Sequence, residues 1–366
     1  MSNELLYQIA LTQVPNIGDI HAKALVNLYG NASDIFKAPK KHLESIEGIG
    51  RIRMQSIKNF SGFKICEHEI SFIEKYKITS LFITDEKYPR RLLNCYDSPV
   101  LLYYRGNANL NVTKIISVVG TRNSSDYGKY VCDSFIEELT NQDILIVSGL
   151  AFGIDTLAHK AALKNNISTI GVLAHGLDRI YPHQNKLLAK QMTANGGLLT
   201  EFKSETIPDR ENFPKRNRIV AGLCDAILVI ESGKKGGSLI TAELGNSYNK
   251  DVFAVPGRVN DIKNEGCNYL IKNNKANLVT CADDILELMN WKNIKKQDRK
   301  KQRELFIELT NDEKVVTKIL HECEMIGIDE LYFKSKLSSS AVASALLMLE
   351  MQGIIISLPG KLYKLS

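Results

Sequence analysis

The sequence lacks any pair of cysteines at metal-ligating or redox spacing. Its seven cysteines, at 66, 95, 132, 224, 267, 281 and 323, stand alone, with no CxxC and no paired Cys/His spacing. A structural zinc site and a disulfide framework are both disfavoured, and a reducing compartment fits best. The opening MSNELLYQIA has no basic n-region followed by a long apolar run, so it does not read as a signal peptide. No apolar stretch approaches the length of a membrane span. A cytoplasmic location without membrane attachment is therefore expected. Low-complexity tracts are missing too, and 44% hydrophobic with 24% charged residues is ordinary for a globular chain. At 366 residues the chain is long enough for two or three domains. The net charge of +6 points mildly to an anionic partner without naming one.

Three regions are present. Up to about residue 62, Val14-Pro-Asn-Ile-Gly18 and Ile46-Glu-Gly-Ile-Gly50 each read as a helix, a glycine turn and a second helix. This resembles a helix-hairpin-helix (SAM-like) module, whose turns can present N–H groups to a phosphate. The same pattern suits a small packing module that never touches DNA. From 63 to 290, apolar runs at 115–119, 144–147, 169–173, 198–199, 226–230 and 252–255 alternate with helix-length segments at 126–140, 154–165, 184–194 and 238–248. The runs mostly do not alternate in polarity, as expected of strands buried on both faces. The reading is an α/β fold with a Rossmann-like, doubly wound, mostly parallel sheet. Residues 291–309 form a basic linker, with seven Lys/Arg and one Asp in 291–303. Residues 310–366 predict helices at 312–322, 329–336 and 338–351, then a hairpin around Pro359-Gly360, in the order of a winged helix. The third helix would read DNA, yet Ser338–Met351 contains no Lys or Arg. A docking or dimerisation module is the better expectation.

In a doubly wound sheet, ligands meet the carboxyl ends of the strands. After the first central strand comes Gly120-Thr121-Arg122, where glycine admits an anion and Arg122 offers a forked donor to phosphate oxygens. After the second comes Ser148-Gly149-Leu-Ala-Phe-Gly153-Ile-Asp155, another glycine turn opening a helix, but not a GxGxxG fingerprint. Phe213-Pro-Lys215-Arg216-Asn217-Arg218 packs three cations and an aromatic into six residues. It suits a single-strand groove with a stacking platform; equally, it suits a solvated helix start with Phe213 in the core. Glu231-Ser-Gly-Lys234-Lys235-Gly236-Gly237-Ser238 opens a further helix, which Ser238 can cap. No GK[ST] ends the glycines, so ATP hydrolysis is not supported, and without a GxGxxG fingerprint or an acidic residue placed for a ribose a dinucleotide cofactor is disfavoured. His159, His175 and His183 lack ligand spacing, and Ser148 is not in a GxSxG elbow. These polar groups are expected to line a cleft. No metal site and no catalytic residue is assigned.

Those segments, with Tyr181-Pro182, Asn185, Gly237-Ser-Leu-Ile-Thr-Ala242 and Val255-Pro-Gly257, closely resemble the DprA/Smf family (DNA-processing protein A) in order and spacing. The resemblance implies a non-enzymatic protein that binds and protects single-stranded DNA and loads the RecA recombinase during natural transformation. It also implies a homodimer formed through the Rossmann-like domain. By motif, Arg122 would hold a phosphate, Lys215 and Arg218 would line the strand, and Phe213 would be a base platform. Gly149, Gly153, Gly237 and Ser238 would shape the anion pocket, with Gly120, Thr121, Arg216, Lys234 and Lys235 beside them. The chain departs from the family in Thr200-Glu201, where Ser-Glu is frequent, and in Lys234-Lys-Gly-Gly-Ser, where Lys-Ser-Gly-Ser is. Two alternatives stay open. One is a nucleotide-cleaving hydrolase using Glu243, against which stands Leu239 at a position that should be glycine. The other is mainly a protein-interaction hub.

Overall fold

A computed structural model describes residues 3–292, 309–323, 325–358 and 360–365. The basic linker is mostly outside these described residues, and so is Pro359 of the expected hairpin. The chain divides into two units, Met1–Asn293 and Ile294–Ser366.

The first unit opens with helices α1 (Asn3–Gln13), α2 (Asp19–Tyr29), α3 (Ala32–Lys37), α4 (Lys40–Ser45), α5 (Gly50–Lys58) and α6 (Phe63–Lys75). The two expected glycine turns are the α1–α2 and α4–α5 connections. Arg53 braces both of them: its Nε donates to the Asn16 carbonyl at 3.0 Å and its Nη1 to the Gly48 carbonyl at 2.8 Å. Helix α2 stops at Gly30, whose φ of 80° is a left-handed conformation that glycine adopts without strain.

Strands and helices then alternate: β1 (Thr79–Phe82), α7 (Arg90–Leu93), β2 (Leu101–Gly106), β3 (Lys114–Gly120), α8 (Asp126–Glu138), β4 (Ile144–Ser148), α9 (Ile154–Lys164) and β5 (Thr169–Val172). They continue with α10 (Lys186–Met192), β6 (Gly196–Thr200), α11 (Asn212–Leu223), β7 (Ala226–Ile230), α12 (Gly237–Ser247), β8 (Asp251–Ala254), α13 (Glu265–Lys272), β9 (Asn277–Leu278) and α14 (Ala282–Leu288). Among the described residues these strands form a sheet in the order β1-β2-β6-β5-β4-β3-β7-β8-β9. All neighbours from β6 to β9 are parallel, while β1–β2 and β2–β6 are antiparallel. The chain leaves β3 in one direction and returns to β7 on its other side, so the switch point lies between β3 and β7.

The mostly apolar central strands have both faces covered. Ile115, Val119, Leu145, Val147, Ile227 and Val229 enter one apolar layer with Val220 of α11 and Ala242 of α12. Ile116, Val118, Ile144, Ile146, Leu228 and Ile230 enter the other with Phe135 of α8, Ala158 of α9 and Ile285 of α14. Each such buried side chain stabilises the fold by roughly 1.5–3 kcal/mol. The first layer also contains Ile9, Leu25 and Leu43. The boundary expected at 62/63 is therefore not a break in packing: the helical module and the sheet share one core.

Arg218 of α11 pins that junction. Its Nη2 bonds Asp19 Oδ2 of α2 at 2.8 Å and also Glu201 Oε2 at the end of β6, while Nη1 donates to the Asp97 carbonyl. One guanidinium thus serves two carboxylates. Burial, partly offset by Arg218, pushes the Glu201 carboxyl up to about 7. A carboxyl raised on folding adds stability that is full below its ordinary 4.5 and is lost as pH rises through about 7. Denaturant midpoints between about pH 5 and pH 8 should show wild type losing stability relative to Glu201→Gln, by on the order of 2–3 kcal/mol. Parallel pH profiles would refute this.

The second unit holds α15 (Asn311–Glu322), β10 (Ile326–Gly327), α16 (Ile328–Ser335), α17 (Ser339–Met351), β11 (Ile355–Leu358) and β12 (Leu362–Leu365). Its sheet order is β10-β12-β11, the winged-helix arrangement with a short strand between the first two helices. Thr310 and Glu313 form a reciprocal capping box at α15. Val316, Leu331, Val342, Leu346 and Leu349 make its core, while Leu347, Met348 and Met351 of α17 are exposed.

Candidate nucleic-acid interface

The loops after β3, β4 and β7 and the start of α11 enclose an open cleft of about 690 Å³ at the carboxyl edge of the sheet. Gly120, Thr121 and Arg122 line one wall, Gly149 and Ala151 the next, and Gly233, Gly236, Gly237 and Ser238 a third. Phe213 and Asn217 of α11, with Tyr181, Pro208 and Arg210, complete it.

Arg122 is exposed, and its guanidinium carbon lies 5.1 Å from the Phe213 ring centroid. Tyr181 stands against the other part of that ring, at 6.1 Å between centroids and 54° between planes. The planar cation is held at the cleft mouth by cation–π attraction, its donors free for an anion. The loop that carries it is docked on α9: Ile154 N–H donates to the Thr121 carbonyl at 3.1 Å. Gly153 permits that approach, because its φ is 76° and a Cβ there would collide with the Thr121 carbonyl.

Three helix N-termini reach this edge, in different states. The α8 start is occupied by the protein's own groups, Ser125 capping Gly128 N–H at 3.1 Å. In the β4–α9 loop, Asp155 Oδ2 accepts from Gly149 N–H at 3.1 Å and Ala151 N–H at 3.3 Å. At α12 the space around Gly237 is open. First-turn amides have no intrahelical acceptor, and the helix dipole makes that end attractive to phosphate. Ser238 Oγ is 2.8 Å from Ser232 Oγ and lines the same wall.

Beneath the cleft lie two buried charged residues, Arg216 and Asp155, which make no direct ion pair. Arg216 is 4% exposed, with Nη1 donating to the Gly149 carbonyl and, at 2.6 Å, to the Val172 carbonyl. Burial lowers its pKa to about 10, with Asp155 opposing the shift. Burial raises the Asp155 carboxyl, with Arg216 and the loop amides opposing.

The residues expected at the site separate accordingly. Gly120, Thr121, Arg122, Gly149, Phe213, Gly237 and Ser238 come together in the cleft, and Gly153 shapes its wall. Lys234 and Lys235 are exposed in the loop between the cleft-lining Gly233 and Gly236. Lys215 and Arg218, expected to line the strand, do not line the cleft. At about 100° per helical residue they turn away from Phe213 and Asn217. They line instead a second cavity with Leu11, Ala22 and Glu201. Arg216 is floor rather than free cation. His159 and Ser148 are fully buried instead of cleft-lining. His159 bonds Thr169 Oγ1 at 2.7 Å, and burial pushes it down to about 3. Glu243, the carboxylate of the hydrolase alternative, pairs with Lys275 at 3.1 Å away from the cleft. Among the described residues no cluster of His, Cys, Asp or Glu could hold a metal ion, and no helix is long and apolar enough to cross a membrane. Arg210 and Tyr181 join the site without having been expected there. Arg210 sits in a polar loop with neither strand nor glycine signal beside it. Tyr181 was quoted only as part of a motif.

Fold and cleft define a Rossmann-type α/β protein with an open cleft at the carboxyl edge of its sheet, and with a winged-helix unit. The family model for DNA recombination-mediator protein A matches residues 79–290, and the DprA winged-helix model matches 304–361. The chain belongs to the DprA/Smf family of DNA recombination mediators, which is not a family of enzymes. The DNA processing protein DprA of Streptococcus pneumoniae is 39% identical over 260 residues, 67% of this chain and 90% of that protein. Protein Smf of Synechocystis is 31% identical over an alignment covering 99% of both chains. Among solved structures, DprA from Streptococcus pneumoniae superposes with a TM-score of 0.65 at 34% identity, covering 78% of this chain and 98% of that one. The Helicobacter pylori DprA, described for its single-stranded DNA binding mode, gives 0.53 at 28% identity, covering 58% and 96%.

Proposed function

We propose that this protein binds single-stranded DNA in the carboxyl-edge cleft, shields it, and delivers it to the RecA recombinase in recombination and natural transformation, acting as a cytoplasmic homodimer. The observation that carries the reading is Arg122 stacked on Phe213 at the mouth of a cleft that ends on the open N-terminus of α12. Cation, ring and amides offer phosphate contacts and a base platform but no base-edge code, so binding is sequence-tolerant. For the dimer, the apolar side chains exposed on the edge strand β9, Leu278 at 50%, and in the segment before α13, Val259 at 94% and Ile262 at 74%, are the candidate contact points.

The test is a salt series comparing single-stranded and duplex oligonucleotides. Expected are a single-strand preference and a log–log slope of about −0.7 for each phosphate neutralised. Equal affinity for both forms, or tight binding that ignores salt, would refute the reading.

A further inference from the structure

Glu231 is a buried carboxylate at the switch point that does not line the cleft. It immediately follows β7, is 1% exposed, and has a left-handed φ of 50°. Among the described residues no lysine, arginine or histidine forms an ion pair with it. Its partners are the N-terminus of α8 and the Arg122 loop. Oε2 accepts the Ser125 N–H at 2.9 Å, and Oε1 accepts the Ser125 hydroxyl. The Glu231 carbonyl accepts the Thr121 N–H at 2.7 Å. Both ends of the five-residue loop Thr121–Ser125 are therefore tied to one residue, and Arg122 lies between the ties. Room for the carboxylate exists because residue 128, in the first turn of α8, is glycine: a Cβ there would overlap the carboxyl group.

In doubly wound sheets a nucleotide phosphate sits at the switch point, on the N-terminus of the helix that follows the first central strand. Here that helix is α8, and the carboxylate of Glu231 fills its N-terminus. We infer that Glu231 is an internal stand-in for a bound phosphate: a positioning residue that holds the Thr121–Ser125 loop so that Arg122 faces the cleft, and that closes the nucleotide position of the fold. The anion path is thereby displaced to Arg122 and α12, where successive phosphates of a strand can pass, rather than ending in the crevice. The DNA part of this inference rests on the function proposed above. The anion part does not.

The informative variant is Glu231→Gly, since glycine suits the left-handed backbone and leaves an anion-sized space against α8. Binding of an oligothymidylate at fixed ionic strength should weaken about tenfold, equivalent to ~1.4 kcal/mol. The same substitution placed in Arg122→Ala should cost nothing further, because Glu231 acts through Arg122. Inorganic phosphate, compared with chloride at equal ionic strength, should raise the melting temperature of Glu231→Gly more than that of wild type. Propionate, the shape of the missing side chain, should do the same. A purely structural role would give additive losses with Arg122→Ala and no extra response to either anion. Undiminished affinity, additivity, or equal anion responses would each overturn the inference. Should Glu231→Gly not fold, Glu231→Gln and Ser125→Ala carry the same non-additivity test. Were wild type itself indifferent to single strands, the proposed function would fall, while the anion response would still decide the role of Glu231.

Discussion

Arg122→Ala is expected to weaken single-stranded DNA binding by roughly 10- to 100-fold, the scale of losing a charge-assisted hydrogen bond worth ~1.5–3 kcal/mol. The salt slope should become shallower by about 0.7, one phosphate's share. Its neighbour should behave differently. Phe213→Ala removes a ring that supports the guanidinium and can stack a base, so affinity should fall by ~1–3 kcal/mol with the slope unchanged. Arg122→Lys should keep the slope and lose part of the affinity, because an ammonium neither stacks on Phe213 nor offers the planar fork. Lys215→Ala is the control. It removes an equal charge two residues from Phe213 but in a different cavity, and should leave affinity close to wild type. Fluorescence anisotropy across a salt series on these variants reads all four outcomes. A loss at Lys215 matching that at Arg122 would place the strand over the other side of α11 and refute the cleft assignment.

Arg122 and Lys215 differ in how far the sequence alone fixes their positions. Arg122 follows a strand and a glycine, and in a doubly wound sheet that position has one destination, the carboxyl edge. The central parallel strands are legible for a similar reason: the buried positions of β3, β4 and β7 are apolar apart from Ser117 and Ser148, because helices cover both faces. The six residues Phe213–Arg218 read as a dense basic cluster, but density ignores helical phase. Wound into α11 they divide between the cleft, its floor and the seam with the helical module. Arg216 reads as a free cation because burial of an arginine depends on distant acceptors, here the Gly149 and Val172 carbonyls, far away in the chain. The antiparallel strands β1 and β2 are not legible in the sequence because four- and six-residue segments carry little periodicity. The shared core of the helical module was not readable either, since local pattern says which face of α1 is apolar but not that Ile9 joins the same layer as Val220. Glu231 was read as the start of a glycine turn inviting a phosphate. The structure shows it filling the neighbouring helix terminus itself.

Arg216→Met should test the floor, and its effect should fall on stability rather than on phosphate contact. Removing a buried, hydrogen-bonded guanidinium leaves its acceptors unsatisfied, at about 1–3 kcal/mol for each. Here those acceptors are the Gly149 and Val172 carbonyls, and the buried Asp155 carboxylate loses the nearby charge that favours its ionised form. Methionine roughly fills the volume, so cavity formation contributes little and the loss reports the charge. Adding Asp155→Asn should recover part of it: the amide oxygen can still accept from Gly149 and Ala151 N–H, and no buried carboxylate remains to be neutralised. The pH dependence has a definite sign. Without Arg216 the Asp155 carboxyl in the folded protein is raised further, so the single variant should lose stability relative to wild type as pH rises from the ordinary carboxylate range toward neutrality. The double variant should lack that slope. At temperatures where Arg216→Met is folded, the salt slope of DNA binding should equal that of wild type, since the guanidinium is enclosed by backbone carbonyls. Unchanged denaturant midpoints together with a shallower salt slope would mean that Arg216 reaches a phosphate, and that the floor of the cleft opens when DNA binds.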